Sequence, residues 1–435
     1  MHTHACFHLL LERRIEMSKE KIAIIGAGPV GLEIALYALQ LGYDVNVFEQ
    51  GEVGANILRW GHVSLFSPWE MNHTPLGVRL LKEIHPGWHE PSADAIQTGI
   101  EYVRTYLQPL AQLPQLRDSL HTNIKVVSIG RSRIMKGDLI GDIKRTSFPF
   151  KLLARDHEGR ETYASADIVI DASGVYHNPN WLGGGGIPAL GEAASQPYID
   201  YHLCDLYGKD RARFAGKKTL LIGAGYSAAT TVSDFRNLIR EEPDTSLIWV
   251  IRDDRKAPIP AIEDDPLPNR KKLTGHANSV ATGNISGIEY RNNITVAAVA
   301  YDASNDRFTV QLDRNGQTEE IIVDRVIANV GYGPDNSLYR ELQVHECYAS
   351  RGPMKLSAAL LGASGSTDCL TQGSMGAETL RNPEPNFYLM GNKSYGRNPT
   401  FLMRTGFSQI VEVFSLIAGN EKLNLFESKE RAAAQ

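Results

Sequence analysis

Gly26, Gly28 and Gly31 form G-x-G-x-x-G within KIAIIGAGPVGLEIALYALQLGYDVNVFE, residues 21–49. This spacing suits phosphate binding. Gly26 permits a tight turn, Gly28 lets the backbone approach a pyrophosphate, and Gly31 lets the following helix pack against the strand. The helix start then offers backbone amides and a positive dipole end to the phosphates. Pro29 lies in the same turn and belongs to the same set. Glu49 stands where a carboxylate accepts hydrogen bonds from ribose hydroxyls. It would repel a 2′-phosphate, so this first site suits FAD or NAD and not NADP. A glycine turn without a ligand is the alternative, but strand, turn, helix, strand and acid all appear in register.

Residues 217–252 repeat the pattern with a different ending. Gly223, Gly225 and Ala228 give G-x-G-x-x-A, with Ser227 inside the turn. Where the first copy ends in an acid, this one ends in Arg252, with Arg255 and Lys256 close behind. An arginine there can pair with a 2′-phosphate through charge-assisted hydrogen bonds, which favours NADPH over NADH. Asp253 and Asp254 argue the other way, for a solvated charge at a strand end. Two such motifs in one chain point to a tightly held flavin on the first and an exchanging nicotinamide cofactor on the second.

Regular elements must position these turns. Residues 22–25 form an unbroken apolar run, as expected for a parallel strand covered on both faces. A helix over 32–41 ends at Gly42, and a second strand covers 45–48. In the second copy the strands are 219–222 and 246–251, with a helix over about 228–239. Residues 284–323 read as short strands joined at Asn292-Asn293 and Asn315-Gly316. Residues 183–186, four glycines, read as a hinge or turn. The chain of 435 residues is too long for one ordinary core. Its 42% hydrophobic and 22% charged residues, with a net charge of −5, fit a soluble globular protein without a nucleic-acid partner. No apolar stretch approaches the roughly 18 residues of a membrane span. The four cysteines (Cys6, Cys204, Cys347, Cys369) include no C-x-x-C and fit a reducing, cytoplasmic compartment. No metal site is written in the sequence. Residues 1–17 read as a leader, expected to be disordered, with Met17 a candidate start.

The chain resembles the two-dinucleotide-binding-domain flavoproteins, which include flavin-containing monooxygenases and pyridine nucleotide-disulfide oxidoreductases. Besides the glycine motifs, residues 167–174 (DIVIDASG) and 324–335 (DRVIANVGYGPD) resemble the short crossover motifs that bracket the nicotinamide domain in that superfamily. The likeness spans roughly residues 21–418. It implies an α/β fold of two Rossmann-like three-layer dinucleotide-binding domains, the nicotinamide domain inserted into a split FAD domain. The FAD domain is expected at 18–178 and 325–425, the NAD(P)H domain at 185–323, and a tail at 426–435. The resemblance also implies FAD contacts at Val126, Gly174, Gly391 and Asn392. Relatives that reduce disulfides carry Gly-Asp where this chain has Gly391-Asn392.

It further implies an FAD-dependent enzyme reduced by NAD(P)H, NADPH being favoured. One form is a monooxygenase using dioxygen on a small organic substrate. The alternatives are a reductase that hands electrons to an organic acceptor or quinone, and a non-catalytic flavin-binding redox sensor. The monooxygenase signature F-x-G-x-x-x-H-x-x-x-(Y/F) is met only at His202, which reads more readily as a linker residue that satisfies a local hydrogen bond. Cys369 lies alone, as a buried hydrophobe or a redox thiol. Two loops hold the catalytic candidates. Residues 56–72 are rich in groups that stack or hydrogen-bond, among them Arg59, Trp60, His62, Ser67, Trp69 and Asn72. Residues 391–406 contribute Lys393 and Tyr395, just before a C-terminal helix whose dipole would stabilise negative charge on a reduced flavin.

Overall fold

The computed structural model describes residues 19–363, 370 and 373–427. The leader and Cys369 lie outside them. The chain opens with β1 (Lys21–Ile25), whose last four residues are buried. α1 (Pro29–Gln40) follows, with proline at its first turn. Gly42, at φ +89°, turns the chain into β2 (Asp44–Phe48). An excursion carries α2 (Pro75–Ile84), capped by the Thr74 side chain accepting from the Gly77 amide. After it come β3 (Leu120–His121), the antiparallel strands β4 (Ile124–Arg131), β5 (Phe150–Asp156) and β6 (Glu161–Ala166), and the wholly buried β7 (Ile168–Asp171).

The second unit repeats this order. It has β8 (Lys218–Ile222), α3 (Tyr226–Glu241), β9 (Ser246–Val250), α4 (Pro268–Thr282) and β10 (Ile288–Arg291). Antiparallel β11 (Thr295–Asp302), β12 (Arg307–Arg314) and β13 (Gln317–Val323) come next, then β14 (Arg325–Ala328). Asn315 (φ +54°) and Gly316 (φ +84°) make the β12–β13 turn, where positive φ at both central residues suits the twist of a hairpin. The chain then returns through α5 (Met354–Gly362), β15 (Phe387–Leu389) and α6 (Met403–Ala418).

Two parallel sheets result, ordered β15-β7-β1-β2-β3 and β10-β9-β8-β14. Each is the middle layer of three. One face of the first sheet (Ile22, Ile24, Val45, Val47, Ile170) packs on α1, α2 and α6. Its other face (Ala23, Ile25, Val169, Phe387) packs on β4–β6. In the second sheet, Leu247, Trp249 and Ile327 meet α3 and α4, while Leu220, Ile248 and Val326 meet β11–β13. Alternation along each strand thus divides one buried run between two cores.

One expected boundary shifts. β14 pairs with β8 from Arg325↔Thr219 to Ala328↔Ile222, so residues 325–328 complete the second sheet. The return to the first sheet comes after Ala328. The same lock closes both units: Asp167 Oδ2 accepts from the Lys21 amide at 2.9 Å, and Asp324 Oδ2 from the Lys218 amide at 2.8 Å. The glycine run 183–186 is a turn clamped within the second unit. The buried Glu192 carboxylate accepts from the amides of Leu182 and Ala189, both at 2.8 Å, and from Tyr201 Oη at 2.7 Å.

Candidate functional site: two glycine turns and the junction between them

The first turn is shaped by close backbone approach. Gly26 has φ +104°, and a Cβ there would lie 2.8 Å from the Ala172 carbonyl oxygen, just past β7. A Cβ on Gly31 would lie 1.9 Å from the Gly26 carbonyl oxygen. Gly28 differs, because nothing lies within 4 Å of a Cβ built on it. It is the N-cap of α1, which has no capping side chain and no acid in its first turn. An open flank, unopposed amides and a positive helix end fit a pyrophosphate. Glu49 is buried at the end of β2; its Oε2 accepts from the Ala27 amide at 2.8 Å and its Oε1 from the Gly51 amide at 2.9 Å. The turn therefore fixes the carboxylate, while each oxygen keeps a lone pair for a hydroxyl.

The second turn repeats this geometry. A Cβ on Gly223 (φ +143°) would lie 2.3 Å from the Asn329 carbonyl oxygen, and Gly225 has open space. Ala228 is buried in the core under α3, and Ser227 lies in that helix's first turn. The clamp differs: Trp249 Nε1 on β9 donates to the Gly223 carbonyl at 2.8 Å. Beyond β9, Arg255 pairs with Asp253, whereas Arg252 is 84% exposed, its Nε 3.7 Å from Asp253. Asp253, one of the two acids that opposed a phosphate role, thus engages Arg255 more closely and leaves Arg252 facing solvent.

Between the turns, the two connectors and the 56–72 loop converge. Tyr176 follows the first crossover motif, Tyr332 lies within the second, and His202 precedes β8. The ring centroids of Tyr176 and His202 are 4.6 Å apart, those of Tyr176 and Tyr332 4.5 Å. Tyr332 Oη donates to the Tyr201 carbonyl at 2.9 Å, so it accepts from His202 Nδ1–H at 3.0 Å. His202 Nε2 is left as an acceptor and faces Arg59 Nη1 at 3.5 Å. Burial, then the Arg59 charge, lowers the imidazole to about 4, so it is neutral at pH 7. Phe66 also crosses the junction, edge-on to Tyr226 at the start of α3, 5.4 Å between centroids.

Most candidates in the 56–72 loop have internal contacts. Trp60 packs against the small face of Gly99. Trp69 is fully buried, stacked on His73 at 4.4 Å. Ser67 Oγ donates to Asn72 Oδ1 at 2.8 Å and Asn72 Nδ2 returns a bond to the Ser67 carbonyl at 3.0 Å, both residues being buried. These four hold the loop's shape. His62 Nε2 is buried without a hydrogen-bond partner among the described residues.

In the returning segment Lys393 and Tyr395 are both buried and held by protein partners. Lys393 is buried, its Nζ 2.6 Å from Asp171 Oδ2, so its charge ties this segment to the end of β7. Tyr395 is buried edge-on to Phe401, 5.3 Å between centroids. Gly391 (φ +67°) does approach the first turn, a Cβ there lying 3.6 Å from Val30 of α1, and Asn392 beside it is exposed. Val126 is buried against β1, and Gly174 (φ +72°) has open space around it. Sequence reasoning gave no site role to Asp171, Tyr176, His177 and Tyr332. The signal that could have flagged them is their place within the crossover motifs (Asp171, Tyr332) or just past the first one (Tyr176, His177). His177 has an Nδ1 without a hydrogen-bond partner among the described residues and a lowered pKa, through burial and then the nearby Lys393.

No family model and no curated protein matches the chain. Solved structures do. The bacillithiol disulfide reductase of Bacillus cereus is 16% identical at a TM-score of 0.60, over 92% of this chain and 99% of that one. The ornithine N-hydroxylase of Kutzneria, with reduced FAD, NADP+ and ornithine, is 12% identical at 0.59, over 92% and 99%. The FAD-bound cadaverine monooxygenase of Erwinia amylovora is 11% identical at 0.61, over 94% and 98%. The chain therefore has the fold of the two-dinucleotide-binding-domain flavoproteins. Among the described residues no helix is long and apolar enough to cross a membrane.

Proposed function

We propose that this chain is an FAD-dependent oxidoreductase reduced by NADPH, with FAD on the first glycine turn and NADPH on the second. One observation carries the reading. The two turns share their geometry but differ at the end of the second strand, a clamped carboxylate at Glu49 against the exposed Arg252. The Gly28 flank, the α1 amides and Glu49 would hold the flavin dinucleotide, with Gly391 and Asn392 beside them. Gly225, Ser227 and Arg252, with Arg255 next to it, would hold NADPH. FAD supplies two-electron chemistry, taking a hydride and passing electrons to a second substrate. Protein groups do the positioning. Lys393–Asp171 holds the returning segment against β7, and neutral His202, fixed by Tyr332, holds Arg59 at the junction.

For the second half-reaction we favour oxygenation of a small organic substrate. Among the described residues Cys204, which is buried, and Cys347 are both free, and no C-x-x-C redox pair is present in the sequence. The N-hydroxylases among the similar structures support the same reading. A reductase acting on an organic acceptor or quinone is the second reading. It is supported by the disulfide reductase among the similar structures. Low cysteine content supports a cytoplasmic setting.

The two readings separate in one experiment. NADPH oxidation is followed with an oxygen electrode, a peroxide assay and mass spectrometry of small nucleophilic substrates. An oxygenase consumes one oxygen per NADPH, releases little peroxide and adds 16 Da to a substrate, the mass of one oxygen atom. Rapid turnover with quinones in the absence of oxygen, with no oxygenated product in its presence, supports the reductase instead.

A further inference from the structure

The loop joining β4 to β5 does not serve the nucleotide sites, yet it is firmly built. Arg145, fully buried, donates from Nη1 to the Asp138 carbonyl at 2.6 Å and the Met135 carbonyl at 3.3 Å. Its other edge meets Glu384, Nη2 to Oε2 at 2.8 Å, and Glu384 also binds the buried Arg131. Gln343 adds bonds to the Lys136 carbonyl at 2.6 Å and from the Gly141 amide at 2.9 Å. Backbone strain is held in place here too, with φ +70° at Arg133 and +49° at Leu139.

What this framework presents is apolar. Met135 is 74% exposed, Ile140 79%, Ile143 70% and Leu139 37%. Single exposed aliphatic residues are ordinary, but four within nine residues on a pinned and strained loop mark a contact surface. Its charges say which kind. Arg133, Lys136 and Lys144 alternate with Asp138 and Asp142, so both signs sit on one protrusion. A two-fold contact juxtaposes a patch with itself, so a patch that carries both signs has opposite charges to set against each other. An anionic bilayer would attract Arg133, Lys136 and Lys144 but repel Asp138 and Asp142, which flank Ile140 and offset most of that attraction.

We infer that the 133–144 protrusion is an isologous interface between two copies of this chain. Four aliphatic side chains alone fall short of the about 800 Å² per partner that stable complexes bury. The basic flanks and the segment at Arg340, whose carbonyl accepts from Lys136 Nζ at 2.9 Å, therefore join the contact. A contact this small makes the dimer dissociate measurably on dilution.

Sedimentation velocity over a concentration series, on the full chain, tests this. Wild type should pass from monomer to dimer, and Ile140→Asp/Ile143→Asp should raise the dimer Kd at least tenfold. Circular dichroism should be unchanged, because both side chains face solvent. Wild type that stays monomeric throughout overturns the proposal, as does a dimer indifferent to the double substitution. Binding of monomeric wild type to phosphatidylcholine/phosphatidylglycerol vesicles, lost in the variant, would overturn it in favour of a bilayer contact. None of these readouts depends on the nucleotide assignments.

Discussion

Lys393 Nζ and Asp171 Oδ2 lie 2.6 Å apart with both side chains essentially inaccessible to solvent. Asp171 Oδ1 also accepts from Ser173, amide at 3.1 Å and hydroxyl at 2.7 Å. Each residue is the other's direct ion-pair partner, with Ser173 Oγ (3.2 Å from Lys393 Nζ) and the Tyr339 ring as further neutral contacts. Removing one side leaves an unpaired buried charge, which costs about 3–5 kcal/mol. Lys393→Met should therefore lower the urea midpoint strongly, and Lys393→Met/Asp171→Leu should recover part of the loss. A Lys393→Met variant as stable as wild type would show that the pair holds nothing together.

The glycines of the first turn should fail in different ways. Gly28→Val meets open space and should fold, yet lose flavin retention. Gly31→Val drives a side chain into the Gly26 carbonyl and should fail to fold or melt far below wild type. Absorbance spectra and thermal melts distinguish the two. Equal flavin content in Gly28→Val and wild type would remove the phosphate role from this turn.

Arg252→Ala tests the second cofactor. Loss of one charge-assisted contact is worth about 1.5–3 kcal/mol. KM for NADPH should rise roughly 10-fold to 150-fold while KM for NADH stays within about twofold. Parallel changes for both would make Arg252 a surface charge only.

Much of the fold was legible because its signals are local. Continuous apolar runs mark β1, β7, β8 and β14, and glycines at 26 and 223 mark where each strand must turn. The 56–72 loop was misleading for a physical reason. Tryptophan, serine and asparagine serve a buried packing layer as well as a ligand site, and only the fold shows Trp69 under His73 and Ser67 bonded to Asn72. The ion pair of Lys393 was not legible either, because its partner Asp171 lies 222 residues away. The return boundary at 325 was misplaced because β14 reads as a buried strand in either sheet.

Glu33 predicts a pH dependence. It lies fully buried on α1, accepting from Tyr106 Oη and, at 2.7 Å, from Thr74 Oγ1. Burial raises its pKa to about 7 against the opposing effect of those bonds. With the folded value above the unfolded one, its contribution is full below about 4.5 and is lost as pH rises through about 7. The span corresponds to about 3 kcal/mol. Glu33→Gln should flatten the stability profile between pH 5 and 8 and raise the melting temperature relative to wild type at pH 8. An unchanged profile would mean that Glu33 is ionised throughout.

The central claim is that the first turn holds a flavin and the second a nicotinamide that reduces it. Anaerobic titration of the FAD-loaded protein with NADPH, followed by visible absorbance, tests both halves together. The account predicts a yellow protein whose flavin band is bleached by one equivalent of NADPH, and faster than by NADH. A folded protein that cannot be loaded with FAD, or a bound flavin that neither nicotinamide reduces, would contradict it.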